Sequence, residues 1–188
     1  MTIENIEKRL AVSSFSEVTG RTLSGYVVLW GIEANIGGQF TEVFERGAFA
    51  DSLANRTGLR EVLILTDHDP EALLGRVGIN ATLVDDSRGL KVTVELPDTS
   101  VANDVRELAS KGLLGGWSIG FAVPPGGDTF DGNNKRTIRK AIAIEASAIR
   151  SHAAYEQTKD TVSIRSLHAN AERDMRRALY LAVLGGAR

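Results

Sequence analysis

Cysteine is absent from all 188 residues, which removes a thiolate nucleophile, a disulfide framework and any metal site built on thiolates. Histidine occurs at three positions only, His68, His152 and His168, so imidazole chemistry has three places to occur. A charge excess is lacking too. Lys and Arg total 22 against 24 Asp and Glu, a formal net charge of −2, which excludes a globally basic nucleic-acid binder and an acidic disordered chain. No stretch approaches the roughly 18 consecutive apolar residues of a membrane span, and Met1 to Leu10 alternates charge with apolarity where a signal peptide needs an apolar core. A soluble, intracellular protein is expected. What is present is ordinary for a globular fold: 43% hydrophobic and 24% charged residues, in a length that suits one domain with a tail.

Period-2 alternation with β-branched and aromatic residues predicts strands over Arg9 to Val18 and Thr22 to Trp30, joined by a turn at Thr19-Gly20-Arg21. Gln39 to Phe44 reads as a further strand. Glu45 to Leu53 reads as a short helix with Phe49 and Leu53 on one face. The continuous apolar run Glu61 to Thr66 suits a strand buried on both faces and stops at Asp67-His68-Asp69-Pro70. Leu74 to Val84 and Gly89 to Leu96 predict a hairpin turning at Asp85-Asp86-Ser87-Arg88. The clearest helix follows, capped by Asp98 or Thr99, with Val101, Val105 and Leu108 in one stripe and Gly112 as its stop. Leu113 to Val123 returns to strand, and residues 124–134 read as an irregular hairpin loop. Thr137 to Ile149 is a single extended run with Glu145 at its middle. From Ala169 the period becomes helical, with Met175, Leu179 and Val183 in register. Many strands, two or three helices and no βαβ alternation point to a mainly antiparallel α+β or β-barrel domain.

Three segments carry residues capable of chemistry. His68 sits between two aspartates at the end of the buried strand, as a positioned base or as an ordinary turn histidine. Ser118 lies in Gly115-Gly116-Trp117-Ser118-Ile119-Gly120, where small neighbours admit another backbone, as a substrate strand would need; a glycine-bent strand is the alternative. Gly116 to Gly120 also fits G-x-S-x-G, the nucleophile elbow of small-molecule esterases. That elbow needs a helix straight after the serine, whereas Pro124-Pro125-Gly126-Gly127 follows within one short strand, and its base would be His152 or His168. Glu145 is an isolated carboxylate in an apolar run, paired if it points inward and unremarkable if it faces solvent.

Taken in order, these segments resemble the prohead, or capsid maturation, proteases of tailed bacteriophages, related in fold to the herpesvirus assemblin proteases. The resembling stretch runs from Leu23 to Thr158. It comprises Gly25-Tyr26, Phe44-Glu45-Arg46-Gly47-Ala48-Phe49, Leu65-Thr66-Asp67-His68-Asp69 with Leu74-Gly75-Arg76, the Asp85 to Leu96 hairpin, Leu114 to Phe121, and Glu145-Ala146-Ser147-Ala148-Ile149. The resemblance implies an assemblin-like α+β fold with a mainly antiparallel, barrel-like core and a few flanking helices. It implies a serine endopeptidase that cuts scaffold, or the scaffolding segment of the major capsid protein, and itself, inside the immature capsid.

Carried over by residue, the resemblance makes Ser118 the nucleophile, His68 the general base and Glu145 the group that orients the imidazole, with His152 the alternate for that third place. Arg150 is the candidate oxyanion donor, although the arginine pair of the herpesvirus branch is replaced here by Arg150-Ser151-His152. No cofactor or metal is called for. Residues 1–160 are assigned to the protease domain and 161–188 to a C-terminal segment that packs, dimerises, docks or is removed. The expected partners are capsid or scaffold protein and a second copy of the chain, without membrane or specific nucleic acid. A non-catalytic β-rich assembly module is the competing reading.

Overall fold

Alternating apolar and polar residues build about half of the described residues into short strands. A computed structural model describes residues 6–10, 17–54 and 62–150. The helix expected around Met175 to Val183, together with His152 and His168, lies outside the described residues. In chain order the elements are β1 (Glu7–Leu10), β2 (Glu17–Thr19), β3 (Thr22–Leu29), β4 (Ala34–Ile36), β5 (Phe40–Phe44), α1 (Ala50–Ala54), β6 (Leu63–Thr66) and β7 (Asp69–Arg76). There follow β8 (Ala81–Asp85), β9 (Gly89–Glu95), α2 (Ser100–Ser110), β10 (Gly116–Ala122), β11 (Asp128–Phe130), β12 (Lys135–Ile138) and β13 (Ile142–Ile149).

The strands form three sheets, ordered β1-β10-β13-β6-β7, β2-β3-β9-β8 and β11-β12-β5-β4. Most pairings are antiparallel, but β12 joins β5 and β13 joins β6 in parallel. The architecture is broadly α+β and β-rich. Among the described residues no barrel closes: each sheet ends on edge strands, so the expected barrel-like core is corrected to packed open sheets. Alternation specifies that one face is buried, and stacked sheets satisfy it as well as closure does.

The core lies where β10 packs on β3. Trp117, Ile119 and Phe121 are fully buried on one face of β10, in one cluster with Leu23, Val27, Phe44 and Phe49. Phe44 stacks on Phe49 at 5.7 Å and meets Phe121 edge-on at 5.1 Å. Each such large apolar side chain contributes roughly 1.5–3 kcal/mol on burial. Helix α2 forms because Thr99 caps it, its hydroxyl accepting the Ala102 N–H at 3.3 Å, and because Ala102, Val105 and Ala109 give it a buried stripe. Gly112, at φ +66°, lets the chain leave.

Several boundaries differ from the sequence expectation. The Arg9 to Val18 run contributes to two strands, β1 and β2, in different sheets, and the helix expected from Glu45 begins only at Ala50. Leu74 belongs to β7, which pairs with β6, and the hairpin begins only at Ala81. The 124–134 segment is partly ordered: β11 pairs with β12, around an Asp131 carboxylate that accepts the N–H groups of Asn133 and Lys135. The Thr137 to Ile149 run is two strands in different sheets. It breaks where Arg139 and Lys140 both donate their N–H groups to the Gly127 carbonyl.

Candidate active site

The five-stranded sheet positions the candidate residues through its register. Ser118 on β10 lies opposite Ser147 on β13, and Gly120 lies opposite Glu145. Opposed residues of an antiparallel pair share a face, their Cα atoms about 4.5–5.5 Å apart. Ser118, Gly120, Glu145 and Ser147 therefore stand together on the face turned away from Trp117, Ile119 and Phe121. Gly120 is required there: a Cβ would stand 2.4 Å from Glu145 Oε1 and 2.8 Å from its Cγ, so only glycine leaves room for the carboxylate across β10.

His68 reaches the same face from the β6–β7 turn. Thr66 pairs with Asp69, leaving Asp67 and His68 as a two-residue loop with φ of 49° and 60°. Positive φ at both central residues is type I′ geometry, usually met by Asn-Gly, and costs a side-chain-bearing residue roughly 1–2 kcal/mol. The surroundings hold the turn in place. The Asp67 N–H donates to the Ala148 carbonyl at 3.0 Å, and its carboxylate accepts the Arg150 N–H at 2.8 Å and Arg150 Nε at 2.6 Å. The His68 N–H donates to Ser147 Oγ at 3.2 Å.

So held, His68 Nδ1 lies 2.6 Å from Glu145 Oε1. Glu145 is fully buried, and its other oxygen accepts the Ser147 hydroxyl at 2.5 Å. A carboxylate that accepts from Nδ1 selects, for the neutral imidazole, the tautomer that presents its lone pair at Nε2. Ser147 thus joins the histidine backbone to the glutamate carboxylate. Sequence reading passed over it, although its place two residues after Glu145 in a strand already puts both on one face.

Ser118 is only 2% exposed, and its hydroxyl donates to the Arg9 carbonyl on β1 at 2.9 Å. Among the described residues no hydrogen bond joins it to His68. It sits mid-strand with no helix following, so the nucleophile-elbow geometry is absent. Arg150 is tied to Asp67, beside the imidazole turn. His152 lies outside the described residues.

A second polar cluster, missed in the sequence, lies across the other face of β1. Arg9 forks onto the buried Glu42 carboxylate, Nε to Oε1 at 2.6 Å and Nη2 to Oε2 at 2.9 Å, and its guanidinium lies 5.6 Å from the Phe121 ring. Arg136 donates to Glu42 at 3.0 Å, to both oxygens of Glu7 at 2.6 and 2.8 Å and to Asp128 at 2.6 Å. Burial alone would raise the Glu7 carboxyl, but the hydrogen bonds and charges of Arg136 and Arg9 outweigh it and hold it below its ordinary value. Burial likewise opposes the charge on Arg136, and the carboxylates beside it prevail.

A β-sheet face that gathers a serine hydroxyl, an imidazole and a buried carboxylate has the chemical inventory of a serine hydrolase. Comparison with protein families makes the assignment narrower. The caudovirus prohead serine protease model matches residues 8–173, and the chain belongs to that family. It is a family of serine peptidases of capsid maturation, which act inside the procapsid and so meet capsid or scaffold proteins. No curated protein and no solved structure gives a significant match. Among the described residues no helix is long and apolar enough to cross a membrane.

Proposed function

We propose that this chain cleaves scaffold, or the scaffolding segment of the major capsid protein, and itself, with Ser118 as nucleophile, His68 as general base and Glu145 as the group that orients the imidazole. The observation that supports the reading best is the 2.6 Å contact of His68 Nδ1 with the buried Glu145, on the face that carries Ser118. In this reading Ser118 Oγ attacks the scissile carbonyl carbon as its proton passes to His68 Nε2. The tetrahedral intermediate collapses, the leaving amine takes that proton, and water activated by the same nitrogen hydrolyses the acyl-enzyme. Glu145 stabilises the imidazolium that forms between these steps. Arg150 serves the oxyanion once its guanidinium leaves Asp67. Residues 1–160 form the protease unit, and 161–188 a segment for dimerisation, docking or removal.

The test is co-expression with the capsid and scaffold proteins, comparing wild type with Ser118→Ala by intact mass. Processing is expected to fall by about 10⁴-fold or more, the scale for a triad serine. Undiminished cleavage by a folded Ser118→Ala protein overturns the reading. One observation favours a non-catalytic assembly module instead, the Ser118 hydroxyl bound to Arg9; that reading predicts that the wild-type protein also leaves its partners uncut.

A further inference from the structure

A serine with 2% exposure cannot meet a polypeptide, so a neighbouring element has to move before Ser118 acts. Of the two strands flanking β10, β13 carries Glu145 and Ser147 and is bonded onward to β6. The other flank is β1, four half-buried residues that, among the described residues, form the edge of the sheet and pair with β10 alone. Its register sets Leu10 opposite Ser118 and Arg9 opposite Ile119, and the Arg9 carbonyl takes the Ser118 hydroxyl. Without β1, the β10 edge beside Ser118 exposes unpaired N–H and C=O groups. An extended chain adds readily to such an edge, with affinity from the main chain and selectivity from side-chain pockets.

We propose that β1 occupies, in cis, the place of the substrate strand, and that the Glu42 pocket holding Arg9 selects a substrate segment with Arg or Lys at that position. This rests on Ser118 being the nucleophile. The latch has two parts. The ladder with β10 takes the Ser118 hydroxyl away from the imidazole, and the bonds of Glu7 to Arg136 and of Arg9 to Glu42 fasten the strand to β5 and β12. When β1 leaves, the pocket keeps, among the described residues, the carboxylates of Glu42 and Asp128 against the guanidinium of Arg136. One negative charge is then uncompensated in a largely buried site, which favours an incoming cation and penalises an anion. The forked contact of Arg9 gives the geometry such a side chain would adopt. The residue so selected is the one whose carbonyl faces Ser118.

The experiment follows covalent labelling of Ser118 by a fluorophosphonate, located by peptide mass, in full-length wild type and full-length Arg9→Glu. Apparent reactivity scales with the fraction of open molecules, so freeing a latch that leaves about one molecule in ten open raises labelling about tenfold. A peptide of residues 6–10 added in trans should slow labelling of the variant, and the same peptide with Glu at the arginine position should not. If Arg9→Glu fails to fold, Arg9→Lys carries the test, since it keeps the charge but loses the fork; it should label several-fold faster than wild type. Equal labelling of wild type and the folded variant, or equal action of the two peptides, overturns the proposal and leaves Ser118 as nucleophile. Absence of Ser118 labelling in every protein, with cleavage surviving Ser118→Ala, overturns the nucleophile reading itself and the latch with it.

Discussion

Two glutamates are buried among the described residues, and their partners differ in kind. Glu42 faces two guanidiniums, Arg9 and Arg136, cations that keep their charge at any working pH. Glu145 faces the imidazole of His68 and the hydroxyl of Ser147. A permanent ion cluster can fasten strands but cannot pass a proton. A carboxylate against an imidazole can fix a tautomer and stabilise a charge that comes and goes. The difference lies in the partner, because both carboxylates stand on strand interiors and are equally hidden from water.

That contrast predicts different losses from the same isosteric change. Glu145→Gln should leave the protein folded and lower the rate of Ser118 acylation by about 10⁴-fold, since an amide that donates to Nδ1 selects the wrong tautomer. Fluorophosphonate kinetics on the folded variant measures it, and a loss below tenfold would place Glu145 beside Glu42 as a structural group. Glu42→Gln should act on stability, by about 3–5 kcal/mol in urea unfolding, because it strips compensation from two part-buried guanidiniums. A stability loss under 1 kcal/mol would mean that the cluster fastens nothing.

Smaller changes sharpen the comparison. Gly120→Ala drives a methyl group into the Glu145 carboxylate and should cost about 1–3 kcal/mol, with acylation falling alongside as the carboxylate is displaced. The smallest effect concerns pH. Glu7 has its carboxyl held below its ordinary value of 4.5 in the folded protein, so its contribution is fully present above that pH and is lost as pH falls below it. Thermal unfolding of Glu7→Gln against wild type should therefore show a difference at neutral pH that closes in acid. A difference that persists unchanged through the acid range would exclude ionisation of Glu7 as its source.

Some of this was legible in the linear chain. Thr99, Val105 and Gly112 announced α2, because capping and helical periodicity act within a few residues. Asp67 and His68 announced the end of β6. The Pro124 to Asn134 stretch misled, because its turn residues hid the Asp131 carboxylate that folds the chain back into β12. The barrel-like expectation failed for another reason: alternation says which face is buried and is silent on which edges meet.

By itself the sequence determined the chemical inventory, with no cysteine, three histidines, one serine among glycines and one glutamate in an apolar run. It also determined the family through the order of those segments. Only the tertiary structure decided the partners. His68 meets Glu145 across 77 residues and Ser118 meets Arg9 across 109, through strand pairings that no local period encodes. Side-chain alternation is a property of one strand, whereas register is a property of two, fixed by the packing of a whole sheet against its core.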